Sequence, residues 1–363
     1  MSAFVSDRMK RSLILMLLLV VAAPALIAAP RRRAVGRPDA VPPCSMVMGT
    51  PGVTFTFDDG ETLAPRAQRV FGVAYTYGLT VLNSPNELLA WHHDDLILSS
   101  DYGCTWRTVA TFTDYDFPPK LVAAKGNRAY AWSDHREYLV RYDWRGAVKL
   151  KAPTTFTGFA SDPADGDHVR AAGANILFES HDAGETWTRL GTVFGSGVVY
   201  RVAFDTSNLD HVAVAGTAIW ISNDAGQTWQ KSKIGADIIY EVIDSPADPN
   251  VLWAEGLSFL DDTKHIFRST DGGATFVPVV DESESVHLVN GALLAPHPTN
   301  RDVLYFVFGT YFQNYGTDLY RYDASTRTLS LRHNNANDIN AIAFSPLRPN
   351  LMYLGLEFEN GGL

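Results

Sequence analysis

The sequence has 363 residues, of which 46% are hydrophobic and 12% aromatic, and it carries a formal net charge of −10. This hydrophobic share is enough to build a large core, so the composition excludes a globally disordered chain. The acidic balance argues against nucleic acid as a partner, because binding to phosphates requires a basic surface.

Residues 1–29 have the pattern of a secretory signal peptide. A short basic start at residues 9–11 precedes the apolar run Leu13–Ala29, which ends in small residues. Met9 is a more natural start for such a signal than the first methionine. The alternative is an uncleaved membrane anchor, but the run is short for a membrane span and contains Pro24. We therefore expect an exported protein (extracellular, periplasmic or at the cell surface) with no stable membrane span after cleavage.

An eight-residue pattern, Ser/Thr-x-Asp-x-Gly-x-Thr-aromatic, recurs along the rest of the chain. Its clearest copies are SHDAGETW (Ser180–Trp187) and SNDAGQTW (Ser222–Trp229), and further copies read SSDYGCTW, STDGGATF and, more weakly, TFDDGETL. The Asp carboxylate can accept nearby backbone N–H groups, and the Gly can adopt a positive φ, which is the chemistry of a tight turn. The pattern therefore predicts a structural role for five aspartates: Asp58, Asp101, Asp182, Asp224 and Asp271.

The spacing of this pattern predicts one four-stranded blade per repeat. With Asp143 and Asp323 counted as degenerate copies, successive aspartates lie 39 to 52 residues apart, a period typical of β-propellers. The C-terminal segment contains the first two strands of a blade but lacks the third strand and the eight-residue pattern. The segment MVMGTPGVTFTFDDGETL near the N-terminus contains both missing parts. The competing account is a chain truncated at Leu363. We expect an all-β, single seven-bladed β-propeller over residues 45–363, closed by a composite blade from both termini and preceded by a Pro/Arg-rich linker at residues 30–44.

On these motifs the chain resembles the Asp-box (bacterial neuraminidase repeat) β-propellers, a superfamily that includes sialidases, sortilin-type ectodomains and a photosystem II assembly factor. The resemblance covers Ser45–Leu363, and it implies that the Asp boxes lie on one face of the ring and the ligand sites on the other. It does not extend to a catalytic member. Sialidases bind their acidic sugar with three arginines, the first in a Phe/Tyr-Arg-Ile-Pro motif, and Ser45–Pro51 contains no arginine.

The sequence contains two cysteines, Cys44 and Cys104. Export would permit a disulfide between them. Two free thiols are the alternative.

Loop length points to one sector of the face opposite the Asp boxes. Each predicted blade has a turn rich in Pro, Asp and Asn between its first two strands, and we number the blades from the one with its box at Asp101. The distance from this turn to the box aspartate is 15 to 17 residues in the first four blades, but 21 and 23 residues in blades 5 and 6. The longer loops read GLSFLDDTKH and GTYFQNYGTD, and extra loop on a rigid scaffold is where binding residues usually lie. The alternative is a tolerated surface insertion. The candidate ligand-binding residues are Asp261, Asp262, Lys264, His265, Tyr311, Gln313, Asn314, Tyr315 and Asp318.

Other polar groups on the same face are interpreted as structural. His92-His93-Asp94-Asp95 offers metal-ligand types, but adjacent residues cannot all turn inward, so we expect a solvated loop and no metal site. Arg201 and Glu241 occupy equivalent positions at the start of the first strands of blades 4 and 5. We expect these two side chains to form an ion pair between the blades. The sequence calls for no cofactor, and its catalytic residues, if any, are unknown.

We therefore expect a secreted, monomeric binding or assembly module that recognises an extracellular glycan or protein on the face opposite the Asp boxes. The acidic character of the blade 5–6 sector favours neutral or cationic ligands. The alternative is an enzyme, a glycoside hydrolase of the sialidase-like or xyloglucanase-like type acting on extracellular carbohydrate. That chemistry needs two carboxylates at a defined separation across a pocket.

Overall fold

The structure, a computed structural model, describes residues 44–49, 52–64, 74–113, 119–193, 197–291, 293–308, 317–335 and 337–358. All regular elements in these ranges are β-strands, and they form the blades of a seven-bladed β-propeller. The predicted fold class is confirmed. Within the same ranges, the chain forms no helix of sufficient length and apolarity to span a bilayer.

Six blades each contain four antiparallel strands that follow one another along the chain. Blade 1 consists of β2 (Ala74–Val81), β3 (Leu88–His92), β4 (Asp95–Ser99) and β5 (Arg107–Thr111). Blade 2 consists of β6 (Lys120–Ala124), β7 (Arg128–Trp132), β8 (Tyr138–Asp143) and β9 (Gly146–Lys151). Blade 3 consists of β10 (Gly158–Ser161), β11 (Val169–Gly173), β12 (Ile176–Ser180) and β13 (Thr188–Thr192).

Blade 4 consists of β14 (Arg201–Asp205), β15 (Asn208–Ala215), β16 (Ile219–Ser222) and β17 (Gln230–Lys231). Blade 5 consists of β18 (Ile238–Ser245), β19 (Asp248–Ser258), β20 (Thr263–Ser269) and β21 (Val277–Asp281). Blade 6 consists of β22 (Leu294–Pro296), β23 (Val303–Phe308), β24 (Thr317–Asp323) and β25 (Thr328–Asn335). The first strands of neighbouring blades contact one another, which places them innermost in the ring.

Blade 7 is built from both ends of the described chain. It consists of β26 (Asn337–Phe344), β27 (Met352–Phe358) and β1 (Val53–Thr56). β1 pairs antiparallel with β27, with Val53 opposite Gly355 and Thr56 opposite Met352. This pairing confirms the predicted composite blade and closes the ring.

The hydrophobic core lies between the blades rather than within one layer. The buried apolar side chains of the described residues fall into seven clusters, and each cluster joins two adjacent blades. Between blades 5 and 6, for example, Trp253 packs with Phe306 and Tyr320. Between blades 7 and 1, Tyr353 packs with Phe55 and Trp106. Each blade is therefore stabilised by both neighbours, as in other radially repeated folds.

On the Asp-box side, ion pairs cross five of the blade boundaries in a repeated pattern. In four of these pairs an arginine of one blade reaches an aspartate of the next, and in the fifth the His211 imidazole lies 3.4 Å from Asp244. These pairs are Arg128–Asp167, Arg170–Asp210, His211–Asp244, Arg268–Asp302 and Arg321–Asp59.

A disulfide joins Cys44 to Cys104, whose Cα atoms are 5.5 Å apart. Cys104 lies in the Asp box of blade 1, and the backbone N–H of Met48 donates to its carbonyl oxygen at 2.6 Å. The segment that leads into β1 of blade 7 is therefore fixed to blade 1.

Candidate functional site

The Asp boxes satisfy their own polar groups. In the box of blade 3, one carboxylate oxygen of Asp182 accepts the Ser180 hydroxyl at 2.7 Å and the Thr186 N–H at 2.9 Å. The other oxygen accepts the Thr186 hydroxyl at 2.5 Å. These bonds, with the Thr186 hydroxyl as the largest contributor, lower the pKa of Asp182 to about 2. The same bonding recurs around Asp224, so the carboxylates of these boxes are engaged in turn formation.

The face opposite the boxes carries the hairpin between β19 and β20, and its tip is apolar. Phe259 is 63% exposed and Leu260 is 96% exposed. Local hydrogen bonds hold this tip in place: the N–H of Phe259 donates to Asp237 at 2.7 Å, and that of Leu260 donates to the Ser258 hydroxyl at 3.3 Å. Asp262 closes the turn with a φ of 55°, in the left-handed region. The hairpin thus presents two apolar side chains to solvent on an ordered turn.

The same face exposes two apolar side chains where the chain enters blade 4. Val198 is 60% exposed and Tyr200 is 44% exposed. The Tyr200 ring lies 5.5 Å from that of Tyr240 in blade 5, so these residues adjoin the blade 5 sector. We call Val198, Tyr200, Phe259 and Leu260 together the blade 4–5 rim.

The predicted polar residues of this hairpin are mostly engaged within blade 5. His265 is buried, with Nδ1 2.8 Å from an Asp281 oxygen and Nε2 3.2 Å from an Asp261 oxygen. Burial acts to raise the pKa of Asp261, but hydrogen bonds from Ser258, Thr263 and His265 lower it to about 2. Lys264 Nζ lies 3.6 Å from a Glu282 oxygen. Asp261 and Asp262 both lie in the exposed turn between β19 and β20, and Asp261 is held there by His265.

The remaining predicted ligand-binding residues belong to the blade 6 loop. Asp318 lies in β24, where its backbone pairs with Phe308. The other four, Tyr311, Gln313, Asn314 and Tyr315, fall outside the described residues. Their role stays a prediction.

A polar cluster joins blades 2, 4 and 5 near the innermost strands of this face. Lys120 Nζ lies 2.9 Å from an Asp134 oxygen and 5.2 Å from the centre of the buried Trp132 ring. The Arg201 guanidinium lies 5.5 Å from the same ring, and its Nε lies 3.0 Å from a Glu241 oxygen. The predicted ion pair between Arg201 and Glu241 is confirmed. Burial, followed by the charge of Arg201, lowers the pKa of Lys120.

Blades 3 and 4 approach closely at their innermost strands, next to Arg201. The first strands of blades 3 and 4 are hydrogen-bonded, with the Val202 N–H donating to the Thr157 carbonyl at 3.0 Å. A Cβ added at Gly158 would lie 2.1 Å from the Val202 carbonyl oxygen. A side chain at this position would clash with the Val202 carbonyl, so the glycine permits the close approach of blades 3 and 4.

The loop between β3 and β4 of blade 1 makes local contacts. His92 is held against the Thr76 hydroxyl at 3.3 Å, and burial lowers its pKa to about 4. His93 lies 3.4 Å from Asp94, and Asp95 accepts the Thr111 hydroxyl at 2.5 Å. His93 is exposed, as expected for a solvated loop, whereas His92 is partly buried within the blade.

Two cavities among the described residues lie toward the Asp-box side. One of about 440 Å³ is lined by Arg268, Asp271 and Tyr322 between blades 5 and 6. The other, of about 410 Å³, is lined by Leu82, Asn83 and Pro346, near the turns of blades 1 and 7.

Comparison with known proteins gives both a family and a fold. The BNR/Asp-box repeat family matches residues 220–231, which contain the box of blade 4. The chain is 43% identical over 343 residues to dispase autolysis-inducing protein of Streptomyces mobaraensis, covering 87% of this chain and 89% of that protein. The chain belongs to the family of that protein.

Solved structures show the same fold at low identity. The propeller YCF48 bound to D1 peptide aligns with a TM-score of 0.55 and 11% identity, covering 85% of this chain and 98% of that one. Virginiamycin B lyase from Staphylococcus aureus aligns with a TM-score of 0.54 and 12% identity, covering 79% of this chain and 96% of that one. A peptide-bound propeller and a lyase therefore share this scaffold, so function has to be argued from individual residues.

Sequence reasoning missed the apolar residues of the blade 4–5 rim. Phe259 and Leu260 lie inside one of the two long loops that were predicted to bind the ligand. The candidate residues chosen in those loops were polar or aromatic, and these two were not among them. The available signal was two consecutive apolar residues in an otherwise polar hairpin loop, where no buried partner is expected.

Proposed function

We propose that this protein is an exported, non-catalytic binding module that binds a protease and promotes the self-digestion of that protease. The observation that carries the proposal is the 43% identity to dispase autolysis-inducing protein over 89% of the length of that protein. Because the similarity extends over nearly the whole propeller, we expect this protein to bind the same class of partner as that relative. The partner is then a protein rather than a glycan.

The blade 4–5 rim is the surface that we assign to the protease. Its exposed aromatic and aliphatic side chains are of the kind that anchor protein interfaces, where buried Tyr and Phe are enriched. Phe259 and Leu260 project from a turn that is already ordered, so binding them costs little conformational entropy. The peptide-bound YCF48 propeller supports the view that this scaffold accommodates a polypeptide ligand.

A binding protein promotes self-digestion by favouring one conformation of its partner. A protease is cleaved by another copy when a segment of its chain opens far enough to enter an active site. If the propeller binds this open form about tenfold more tightly than the closed form, saturation with propeller raises the ratio of open to closed form about tenfold. No catalytic group of the propeller is needed for this effect.

The carboxylates of this face support binding over hydrolysis. Glycoside hydrolysis needs one carboxyl group that can donate a proton and a second that acts as base or nucleophile. Asp134 is paired with Lys120, and Glu241 is paired with Arg201. Glu255 accepts the N–H of Gly291 at 2.9 Å. Each of these carboxylates is therefore engaged in a contact within the propeller.

The test is to incubate purified dispase with and without the mature protein and to follow the intact protease by gel electrophoresis and residual activity. We expect faster loss of intact dispase with the propeller present, in proportion to propeller concentration until the protease is saturated. Dispase held inactive by an active-site inhibitor is the control, because it should bind the propeller without being degraded. Unchanged decay of dispase together with no binding of the inhibited form would contradict the proposal.

A further inference from the structure

Three metal-ligating side chains converge on the Asp-box side of blade 3, on the face opposite to the blade 4–5 rim. His168 ends the turn that precedes β11, Glu179 lies in β12, and His181 is the second residue of the Asp box. One ligating atom from each of the three lies within 4.8 Å of the other two. Glu179 and His181 lie two residues apart at the end of β12, and the pairing of β11 with β12 brings His168 beside them.

Both histidines direct Nε2 at the same carboxylate. His168 Nε2 lies 2.9 Å from Oε1 of Glu179, and His181 Nε2 lies 3.3 Å from Oε2. The two imidazole rings are stacked, with centroids 4.5 Å apart. A neutral imidazole carries a single N–H, and the Nδ1 of His168 already faces Asp162 at 2.9 Å. When that N–H is on Nδ1, the lone pair of Nε2 points at the Glu179 carboxylate. These two electron-rich groups repel each other, and a cation bound between them would remove the repulsion.

The contact with Asp162 is the arrangement that orients metal-binding histidines. A ligating histidine commonly donates its other ring N–H to a carboxylate, which fixes the tautomer and raises the basicity of the ligating nitrogen. Asp162 is itself held, since it accepts the N–H of Ala164 at 2.7 Å. This orientation exposes the lone pair of His168 Nε2 toward Glu179.

The charges around the group favour a dication. Arg170 donates from Nε to Oε1 of Glu179 at 3.0 Å and from Nη1 to Asp210 at 2.7 Å. Arg170 thus contacts two carboxylates, Glu179 and Asp210, and a third, that of Asp162, faces His168. With both histidines uncharged, as metal ligation requires, these groups sum to a local charge of −2. A divalent cation brings that charge to zero. Arg170 also fixes Oε1, which leaves Oε2 directed toward His181.

We propose that His168 Nε2, His181 Nε2 and the Glu179 carboxylate bind a divalent transition metal, with Zn²⁺ as the best fit. Two imidazoles and one carboxylate suit Zn²⁺, whereas Ca²⁺ and Mg²⁺ prefer ligand sets made of oxygen. Bond lengths of about 2.0–2.2 Å in a tetrahedron set neighbouring ligand atoms about 3.4 Å apart, close to the separation of His181 Nε2 from Glu179. The His181 side chain is 67% exposed, so it can adjust its ring, and a water can take the fourth position.

The site would join two segments of blade 3: the turn before β11, and the end of β12 where it enters the Asp box. Metal binding to the native state but not to the unfolded state adds to the free energy of unfolding. The expected role is therefore to stabilise this blade. The site does not rest on the protease proposal, because it lies on the other face and uses other residues.

The test uses full-length mature protein without a histidine tag, dialysed against a chelator and titrated with ZnCl₂ by calorimetry at pH 7.5. We expect one Zn²⁺ per chain and a rise in the melting temperature that Ca²⁺ does not reproduce. Co²⁺ should give the visible absorption of a tetrahedral site. His181→Gln and His168→Gln should each weaken Zn²⁺ binding at least tenfold, and Asp162→Asn should weaken it about 10- to 100-fold.

His93→Gln is the matched control, because His93 is an exposed histidine next to a carboxylate on the opposite face, and it should leave Zn²⁺ affinity unchanged. His181 is exposed, so its variant should fold even if the His168 variant does not. Absence of Zn²⁺ binding by the wild-type protein would overturn the proposal. Wild-type affinity in His181→Gln would overturn it equally, since the metal would then be bound elsewhere.

Discussion

Asp182 shows how one aspartate organises an Asp-box turn. Its two oxygens accept hydrogen bonds from the hydroxyls of Ser180 and Thr186 and from the Thr186 N–H. Ser180 in turn accepts the N–H of Gly184 at 2.9 Å, and Gly184 adopts a φ of 84°. The side chain thus satisfies polar groups that the reversal between two strands would otherwise leave without partners.

Replacing this aspartate tests its structural role. We expect Asp182→Ala to lower the free energy of unfolding by about 1–2 kcal/mol, through loss of the turn hydrogen bonds. Asp182→Asn is the matched control, because it keeps one acceptor oxygen and should lose less. Urea denaturation measures both. Loss of protease binding in Asp182→Ala without loss of stability would show instead that the boxes belong to the binding site.

The box aspartates also predict a pH dependence of stability. The pKa values of Asp58, Asp101 and Asp271 are lowered, and those of Asp182 and Asp224 fall to about 2, from an ordinary value of 3.8. An aspartate with a lowered pKa stabilises the folded state above its unfolded pKa, and this stabilisation is lost as the pH falls through the folded pKa. We therefore expect the melting temperature to fall between about pH 4 and pH 2. A melting temperature that stays constant across this window would contradict the account.

Sequence alone was sufficient for the box aspartates but not for contacts between distant residues. The partners of Asp182 lie within four positions of it, so a local motif contains the whole interaction. The contact of Arg201 with Trp132 joins residues of blades 2 and 4 that are 69 positions apart in the sequence, so no local pattern reports it. The group formed by His168, Glu179 and His181 likewise depends on the register of β11 against β12.

At the scale of the element, the hairpin between β19 and β20 carries the central part of the proposed interface. The comparison of loop lengths pointed to this hairpin as part of the binding site. Most of the polar residues predicted to bind a ligand there instead contact other residues of the same blade. His265 and Asp261 are bonded to each other, and Lys264 is paired with Glu282, so these side chains stabilise the hairpin. Phe259 and Leu260 are the exposed apolar residues of the turn, which they share with the exposed Asp261 and Asp262.

Replacing both tip residues separates binding from folding. We expect the double variant Phe259→Ser/Leu260→Ser to keep the melting temperature, because both side chains are solvent-exposed, and to weaken binding to inhibited dispase at least tenfold. Trp144→Ser is the matched control, since Trp144 is 80% exposed in a turn on the Asp-box side. Its affinity should equal that of the wild-type protein. Unchanged affinity in the double variant would exclude this hairpin from the interface.

At the scale of the whole molecule, the ring depends on β27. This strand pairs with β26 on one side and with β1 on the other, and its first residues place Tyr353 and Leu354 in the clusters on either side of blade 7. Seven clusters at seven blade boundaries make the propeller a closed cycle of neighbour contacts. Composition and repeat period were enough to predict this architecture, because each blade repeats the same local pattern.

Deleting Asn350–Leu363 tests that closure. Without β27, the edges of β26 and β1 lose their partner and two inter-blade clusters are opened. We expect the shortened protein to lose the single cooperative melting transition in calorimetry. Deletion of residues 359–363 alone, which leaves β27 intact, is the control and should melt like the full chain. A shortened protein that melts like the full-length one would contradict the closed seven-blade ring.

The central claim, that a protease binds the face opposite the Asp boxes at the blade 4–5 rim, is tested most directly by amide hydrogen exchange with and without inhibited dispase. The account predicts slower exchange in residues 197–200 and 256–263 when dispase is bound, and unchanged exchange in the box turns Ser180–Trp187 and Ser222–Trp229. Protection confined to the box turns, or no protection at saturating dispase, would contradict it.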